Sequence, residues 1–559
     1  MKLFRSLSIW VLLVTVNHLY AQSDFIIVGS RQYDVIDRLQ VKLRKDSVLN
    51  FSSVKPYDRK IITERLEYIN DLAAKGEISL SKADRYNIDL LLKDNFEWRK
   101  GFGDSSLKFS SVFSKSIATH PAYIGIKTGD FSVYASPIFN FQMGKDNNVS
   151  SKLFSNTRGI AIRGTLTKGI GYYSYFTENQ ERDPLYVQQY VTKYSAVPGM
   201  GYYKSFGTDG YDYYGARGGI MFKAGKSIDF QFAYDKVFIG DGFRSLILSD
   251  FSSPFLFLKV NARFWKFNYY NLFTQLTSTY KRGPDQLLPH KYMAMHYLDF
   301  KANKWLNVGF FEQVMFGREN GFDLNYLNPV ILYNAVQQQL GSPDKLTVGF
   351  NIKANAFRNT QFYSQLIINE FVANEILHYS RGSYQNKDAL QLGAKTIDVF
   401  GIKNLDVQAE MNLIRPFVYT HYDSVGSFTN YNQPLAHPAG ANLREFVALI
   451  KYQPIPKLQL EAKAIYYEQG LDSAGKNFGG NIFRFYTDRQ GDYGYHIGSG
   501  LLTKTLLASF TASYELIPNL FIDANATIRR YKQQNAPDFN SNIYMVGFRM
   551  NIQRRTFDF

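Results

Sequence analysis

The chain has 559 residues, a formal net charge of +16 and no cysteine, so neither disulfides nor an acylated cysteine hold or anchor it. After the N-terminus no run reaches the ~18 consecutive apolar residues of a membrane-crossing helix, yet 16% of the chain is aromatic, with 41 Tyr and 46 Phe against 4 Trp. In an exported, β-rich chain that aromatic surface serves girdles at a membrane interface or platforms for sugars, and the positive charge favours phosphates, uronic acids or lipid A head groups over nucleic acid.

The N-terminus, MKLFRSLSIWVLLVTVNHLYAQ, sets Lys2 and Arg5 before an apolar run from Leu7 to Val16 and a small Ala21. This is the pattern of a secretory signal peptide over residues 1–21; the run is about half the length of a membrane span. Residues 22–100 then change period. Ile62, Leu66, Ile69 and Ala73 recur at helical spacing, Gly76 is a terminator, and Ser81-x-x-Asp84 resembles a capping box that opens a second helix. The expectation is a helical hairpin, periplasmic or partly plugging a lumen. A passive cap over the first strand is its plain alternative.

From residue 101 to 559 one unit recurs: a tight turn between strands of alternating polarity. Turns fall at Gly129, Gly169, Gly225-Lys226, Trp265, Asn303, Arg358, Asn404, Pro454 and Pro518, with Leu458, Leu460, Ala462 and Ala464 sharing one face after the eighth and Leu520, Ile522, Ala524 and Ala526 after the ninth. Longer polar connections rich in Gly and Tyr lie near residues 178–210, 240–253, 319–344, 423–440 and 470–500. Short turns alternating with long loops predict an all-β fold, a transmembrane antiparallel β-barrel of about 18 to 20 strands. At the C-terminus Tyr544, Val546, Phe548, Met550 and Ile552 share a face, and the aromatic Phe557 and Phe559 resemble a barrel-assembly signal. A TonB-type transporter is disfavoured, because the segment before the barrel is shorter than the plug domain it needs.

Apparent catalytic motifs dissolve on spacing. In GDGFRS the third glycine position is Ser245 and no helix pattern follows, and in IMFKAGKS the first required glycine is Ile220. HIGSG at His496 to Gly500 lacks the nucleophile-elbow spacing, and the 8 His show no metal-ligand pairing. The expectation is a protein that is not an enzyme and carries no cofactor or metal.

The stretch VFIGDGFRSLILSD, residues 237–250, stands out. The preceding strand turns Ile228, Phe230, Phe232 and Tyr234 to lipid, so Gly240 falls at the outer rim and the stretch forms an extracellular or inward-folded loop. Arg244, with Ser245, Ser249 and Asp250, suits a sugar carboxylate or phosphate; the weightier alternative is an ion pair with Asp241 that fixes the loop. Arg318 is a further loop candidate, with pairing to Glu319 as its plain reading, and His437 and Asn442 read as loop-shaping residues. NPVILYNAVQQQLGS predicts a short helix begun at Pro329 and folded over or into the barrel.

GDGFRSLILSDFSSPF resembles a segment of the Wzi-type capsule-assembly barrels. YDVIDRLQVK, SSVKPYDRK, LNYLNPVILYNAV, FYSQLIINEF and QPLAHPAGANLREF are similar to the Bacteroidetes branch of that family, which includes the gliding-motility protein RemB. The resemblance runs from about Tyr33 to the end and rests on the order of short motifs; Ser364 and Asn369 stand where the family pattern has Gly and Asp. It implies an outer-membrane barrel of about 18 strands with a periplasmic helical element and a lectin-like role in retaining capsular polysaccharide. In the RemB branch it implies adhesion or gliding. The expected partners are an anionic surface polysaccharide or lipopolysaccharide, outer-membrane lipid and, in the alternative, a cell-surface protein; a simple channel is the third reading.

Overall fold

The computed structural model describes residues 23–559 apart from 47, 104, 108–123, 226, 282, 284–285, 319–320 and 371. The expected signal peptide, Lys226 and Glu319 thus lie outside the described residues. Eighteen strands form the wall. The first nine are β1 (Phe131–Asp146), β2 (Leu153–Thr167), β3 (Ile170–Arg182), β4 (Gly210–Ala224), β5 (Ile228–Asp235), β6 (Phe255–Phe264), β7 (Phe267–Thr277), β8 (His290–Lys301) and β9 (Leu306–Phe316). The rest are β10 (Lys345–Ala354), β11 (Thr360–Glu370), β12 (Lys387–Thr396), β13 (Leu405–Ile414), β14 (Leu443–Ile455), β15 (Leu458–Leu471), β16 (Leu501–Ile517), β17 (Leu520–Gln533) and β18 (Phe539–Met550). Each pairs antiparallel with its neighbours, and β18 closes on β1 from Ile543 opposite Asp146 to Met550 opposite Phe139.

The turn at Gly129 explains why nine turns overcount the ring. It joins β1 to the short strand Ile124–Thr128, which pairs with residues 131–135 of β1, beyond the reach of β18. A further short strand, Ser105–Leu107, adds to it. Eight turns and eighteen wall strands remain.

Alternation places apolar side chains outside. Phe232, Tyr234, Phe350, Ile352, Ile522, Val546 and Phe548 are all well exposed, as a lipid-facing wall requires. At the turn end Phe264, Trp265, Trp305, Phe357 and Phe400 project outwards, and towards the loop end Phe176, Tyr214, Tyr234 and Tyr544 do the same, giving two aromatic girdles. No helix among the described residues is long and apolar enough to cross a membrane; the strands make the crossing.

Ahead of the wall the described residues form three α-helices where the sequence pattern showed two: α1 (Gln32–Leu43), α2 (Arg59–Ala74) and α3 (Lys82–Asp94). Ser81 and Asp84 form the capping box in both directions, at 2.9 and 3.0 Å. The bundle has its own apolar core of Ile36, Leu39, Ile62, Leu66, Ile69, Ile88 and Leu91 and sits across the turn end. Arg31 pairs with Glu515 (3.1 Å) and Lys395 with Asp37 (2.8 Å). Arg38 reaches Asp84, Asp398 and Asp406 together. Between α1 and α2 the chain enters the lumen, where Val54 and Lys55 pair with Ile239 and Phe238.

Two predictions follow from this wall and its cap. Phe232→Arg places a charge on the lipid face and is expected to destabilise the barrel by about 2–4 kcal/mol if that position is near midplane, read from guanidinium unfolding in lipid. Burial pushes the Asp84 carboxyl up, but Arg38 and Lys42 more than reverse this, so it titrates at about 2. Through Arg38 and Lys42 this carboxylate holds α3 on α1; its folded pKa is depressed, so that contribution is complete above about pH 4 and is lost as pH falls through 2. Limited proteolysis is expected to show the helical bundle loosened at the acid end of that window, and at higher pH in Arg38→Gln.

Candidate functional site

The segment after β5 turns inward. Its first glycine pair is dictated by close approach: a Cβ at Gly242 would lie 2.5 Å from Glu410 Oε2, on the β13 wall. That approach lets the Phe243 and Arg244 peptide N–H groups donate to the Glu410 carboxylate at 2.7 and 3.1 Å. The Arg244 guanidinium donates to Glu445 on β14 at 2.8 and 3.2 Å, and to the Asp558 carbonyl at 2.6 Å. His437 and Asn412 meet the same Glu445 carboxylate, each at 2.9 Å. Every one of these side chains is buried.

The expected Arg244–Asp241 pair is thus corrected. Arg244 is held by Glu445, while Asp241 accepts from Lys353 at 3.0 Å, from Asn351 at 3.1 Å and from Ser53 at 2.8 Å. Ser245 accepts the Ile247 and Leu248 N–H groups at 3.1 Å, and Ser249 donates to the Ala436 carbonyl at 2.6 Å. The Asp250 carbonyl accepts from Lys236 at 2.8 Å; burial holds the Lys236 ammonium down at about 8. Asn442, in the left-handed region, bridges the carbonyls of Gly470, Phe478 and Ser499. Arg318 pairs with Asp323 and Asp344 at 3.1 and 2.7 Å, partners that sequence order did not suggest. The candidate residues of segment 240–253 therefore face the lumen and bind protein groups.

A second inward loop, residues 415–442, completes the filling. Lys291 donates to the carbonyls of Ser424 and Ser427 and to Thr429, and Lys345 donates to the Thr420 carbonyl, so ammonium groups on the inner wall tie the loop down. Val418, Tyr419, Phe428, Leu435 and Ala436 then pack with Leu246, Ile247 and Leu248 and with wall residues such as Phe257 and Phe311 into one apolar core. The expected aromatic end of the chain belongs to this filling too. The last wall strand stops at Met550, and residues 551–559 turn inside: Arg555 pairs with Glu181, Lys463 with Asp558, and Phe559 lies among Tyr186, Tyr190 and Phe251. In the folded chain Phe557 and Phe559 thus lie inside the barrel, beyond the end of the last wall strand. Beneath the filling and above α1 a cavity of about 760 Å³ remains, lined by Arg31, Lys55, Lys236, Lys395, Arg554 and Asp250 among others.

At the loop end three loops meet over this core and leave an aromatic, basic rim. Tyr384 and Tyr486 lie 6.1 Å apart, the Arg489 guanidinium stands 3.5 Å over the Tyr384 ring, and Lys387 stands 3.8 Å from the Tyr486 ring. The His421 ring lies tilted against that of Tyr422, with centres 4.1 Å apart. Tyr379, Tyr422, Phe485 and Tyr493 remain exposed. Gly382 makes the junction possible: its φ of +66° is the left-handed region, and a Cβ there would lie 2.8 Å from the Tyr495 nitrogen. Sequence reasoning missed this rim. Its signal was the density of Tyr and Arg in HYSRGSY and FYTDRQGDYGYH.

No protein-family model matches the sequence, and a search of curated proteins finds no match. Among solved structures the fold is similar to Wzi of Escherichia coli, described as an outer membrane protein involved in group 1 capsule assembly and a carbohydrate-binding β-barrel, with a TM-score of 0.55 and 12% identity over 96% of this chain and 100% of that one. It also matches OprD of Pseudomonas aeruginosa, with a TM-score of 0.42 and 9% identity over 76% of this chain and 96% of that one. The fold is that of an outer-membrane β-barrel, and the apolar outer wall makes the chain a multi-pass protein of that bilayer.

Removing the shared carboxylate tests the lumen network. Glu445→Ala leaves the Arg244 guanidinium buried and uncompensated, with an expected loss of about 3–5 kcal/mol, whereas Glu445→Gln loses less because it still accepts hydrogen bonds. Burial also holds the His437 imidazole below its ordinary value, against the pull of Glu445. The unfolded chain takes up that proton near pH 6.5 and the folded chain does not, so stability is expected to fall as pH drops below about 6.5 and the fall to be shallower in His437→Gln.

Proposed function

We propose that this barrel is a non-enzymatic outer-membrane protein that holds an anionic surface polysaccharide at its loop end, with the turns and α1–α3 facing the periplasm. One observation carries the reading: above a cavity of about 760 Å³ the inward segments 240–253, 415–442 and 551–559 pack together across the lumen, and the helices lie across the turn end. A filled lumen suits a rigid base for binding better than a path for diffusion. The rim supplies what glycan recognition needs, since exposed Tyr rings stack on sugar faces and guanidinium groups pair with carboxylates or phosphates. The carbohydrate-binding description of Wzi and the capsule-assembly motifs support the same reading. Arg244, Ser245, Ser249 and Asp250 serve in it by fixing the base on which the loops stand.

Calorimetry of the detergent-folded barrel against the surface polysaccharide of its source cell, at two salt concentrations, tests this. Saturable binding that weakens with salt is expected, together with a roughly tenfold loss in Tyr422→Ala and in Arg489→Ala, about 1.4 kcal/mol each. Absence of binding by correctly folded protein would overturn the glycan reading in favour of a protein partner in adhesion or gliding. Stepwise single-channel conductance in planar bilayers would favour transport instead.

A further inference from the structure

Between Asp323 and Asp344 the chain carries no charged side chain, a run of 20 residues in a protein whose charged fraction is 20%. This segment connects β9 to β10, and its place is unlike that of the other long loops. The cross-strand row Asn271, His296 and Glu312 on β7, β8 and β9 points outwards, because its neighbours Tyr270 and Tyr297 point inwards. On a lipid-facing wall these three polar side chains ought to be exposed, yet all are buried. The segment covers them. Tyr333 stacks on His296 with ring centres 4.0 Å apart, and Tyr326, Tyr333 and Val336 pack on the outward Phe273, Ala294, Val314 and Phe316.

The depth of the segment can be read from its contacts. The Tyr269 hydroxyl donates to the Pro329 carbonyl at 2.6 Å. Tyr269 is the fourth residue after Trp265 of the turn-end girdle, about 10 Å up a tilted strand, so the tip lies well inside an apolar band of about 25 Å. Backbone in that zone needs partners from the protein, and three N–H groups of the tip have them. Asn328 accepts the Val330 and Ile331 N–H groups at 3.0 and 3.4 Å, Glu312 accepts that of Tyr333 at 3.1 Å, and Pro329 has no N–H. Leu327, Val330, Ile331 and Leu332 point away from the wall and are exposed, Val330 by 82%. Arg318 clips the two ends of the run together through Asp323 and Asp344, and Tyr326 donates to Asp344 at 2.7 Å.

We propose that residues 324–341 form a re-entrant strap that enters the hydrocarbon layer from the loop side, lies against the outer wall of β7–β9, and presents Leu327, Val330, Ile331 and Leu332 to lipid acyl chains. The strap shields the Asn271–His296–Glu312 row from lipid and widens the barrel's footprint on one side. This goes beyond polysaccharide binding and holds whether or not that reading does.

The absence of cysteine makes the test direct. Val330→Cys and, separately, Leu327→Cys are spin-labelled in proteoliposomes, with Phe350→Cys on the lipid-facing wall and Leu377→Cys on an outer loop as references, after an unheated SDS gel shows each variant folded. The strap labels are expected to match Phe350→Cys, with high collision rates for dissolved oxygen and rates for a polar nickel chelate at least tenfold below those of Leu377→Cys. Chelate accessibility like that of Leu377→Cys would overturn the proposal by placing the strap in water. Low accessibility to both reagents would overturn it by placing protein, a second copy, on the ridge. Arg318→Gln, which opens the clip, is expected to raise chelate access at Val330→Cys at least twofold.

Discussion

Every part of this protein depends on the closure of one hydrogen-bonded ladder. In lipid an unpaired backbone group costs several kcal/mol, so the eight residue pairs between β18 and β1 are what permit the other strands to stand in the membrane. Closure also fixes the fate of the chain on both sides of it. The edge of β1 that β18 does not reach is taken by Ile124–Thr128, and beyond Met550 the chain has left the ladder and turned inside. The aromatic residues there become interior packing because the Phe559 carbonyl and the Asp558 carboxylate find Arg529 and Lys463 on the inner wall, and the Asp558 carbonyl finds Arg244 of the inward segment.

The interior is organised by charge as much as by apolar contact. Wall strands carry Lys291, Lys345, Lys353, Glu410 and Glu445 inward, where an isolated charge is costly. Each is met by a segment that folds in from the loops or from the N-terminus, and such pairing fixes conformation more than it adds stability. The result is a rigid floor under the loops. Tyr384, Tyr422, Tyr486 and Arg489 therefore stand on a fixed surface, which would reduce the ordering cost of the polysaccharide binding proposed above.

Polar groups also decide the outside. Asn271, His296 and Glu312 break the lipid-facing alternation at one place on the wall, and an uncharged segment lies across that place. The match between a polar fault in the wall and an apolar cover joins two features that look unrelated along the chain.

The sequence by itself determined the membrane barrel, its outward face and the sites of its turns. These are set by period-two alternation and by local turn chemistry, which act within a few residues, so Phe230, Phe232 and Tyr234 and the turns at Trp265, Asn303 and Pro518 were legible. The capping box at Ser81 was legible for the same reason. The tertiary structure decided which charges meet. Arg244 finds Glu445, 201 positions away, in place of nearby Asp241; Arg318 clips Asp344; and the loops around Tyr384 and Tyr486 join into a rim. Those partners are selected by strand register around a closed ring and by the cost of leaving a buried charge unpaired, and neither quantity is written in any local stretch of sequence.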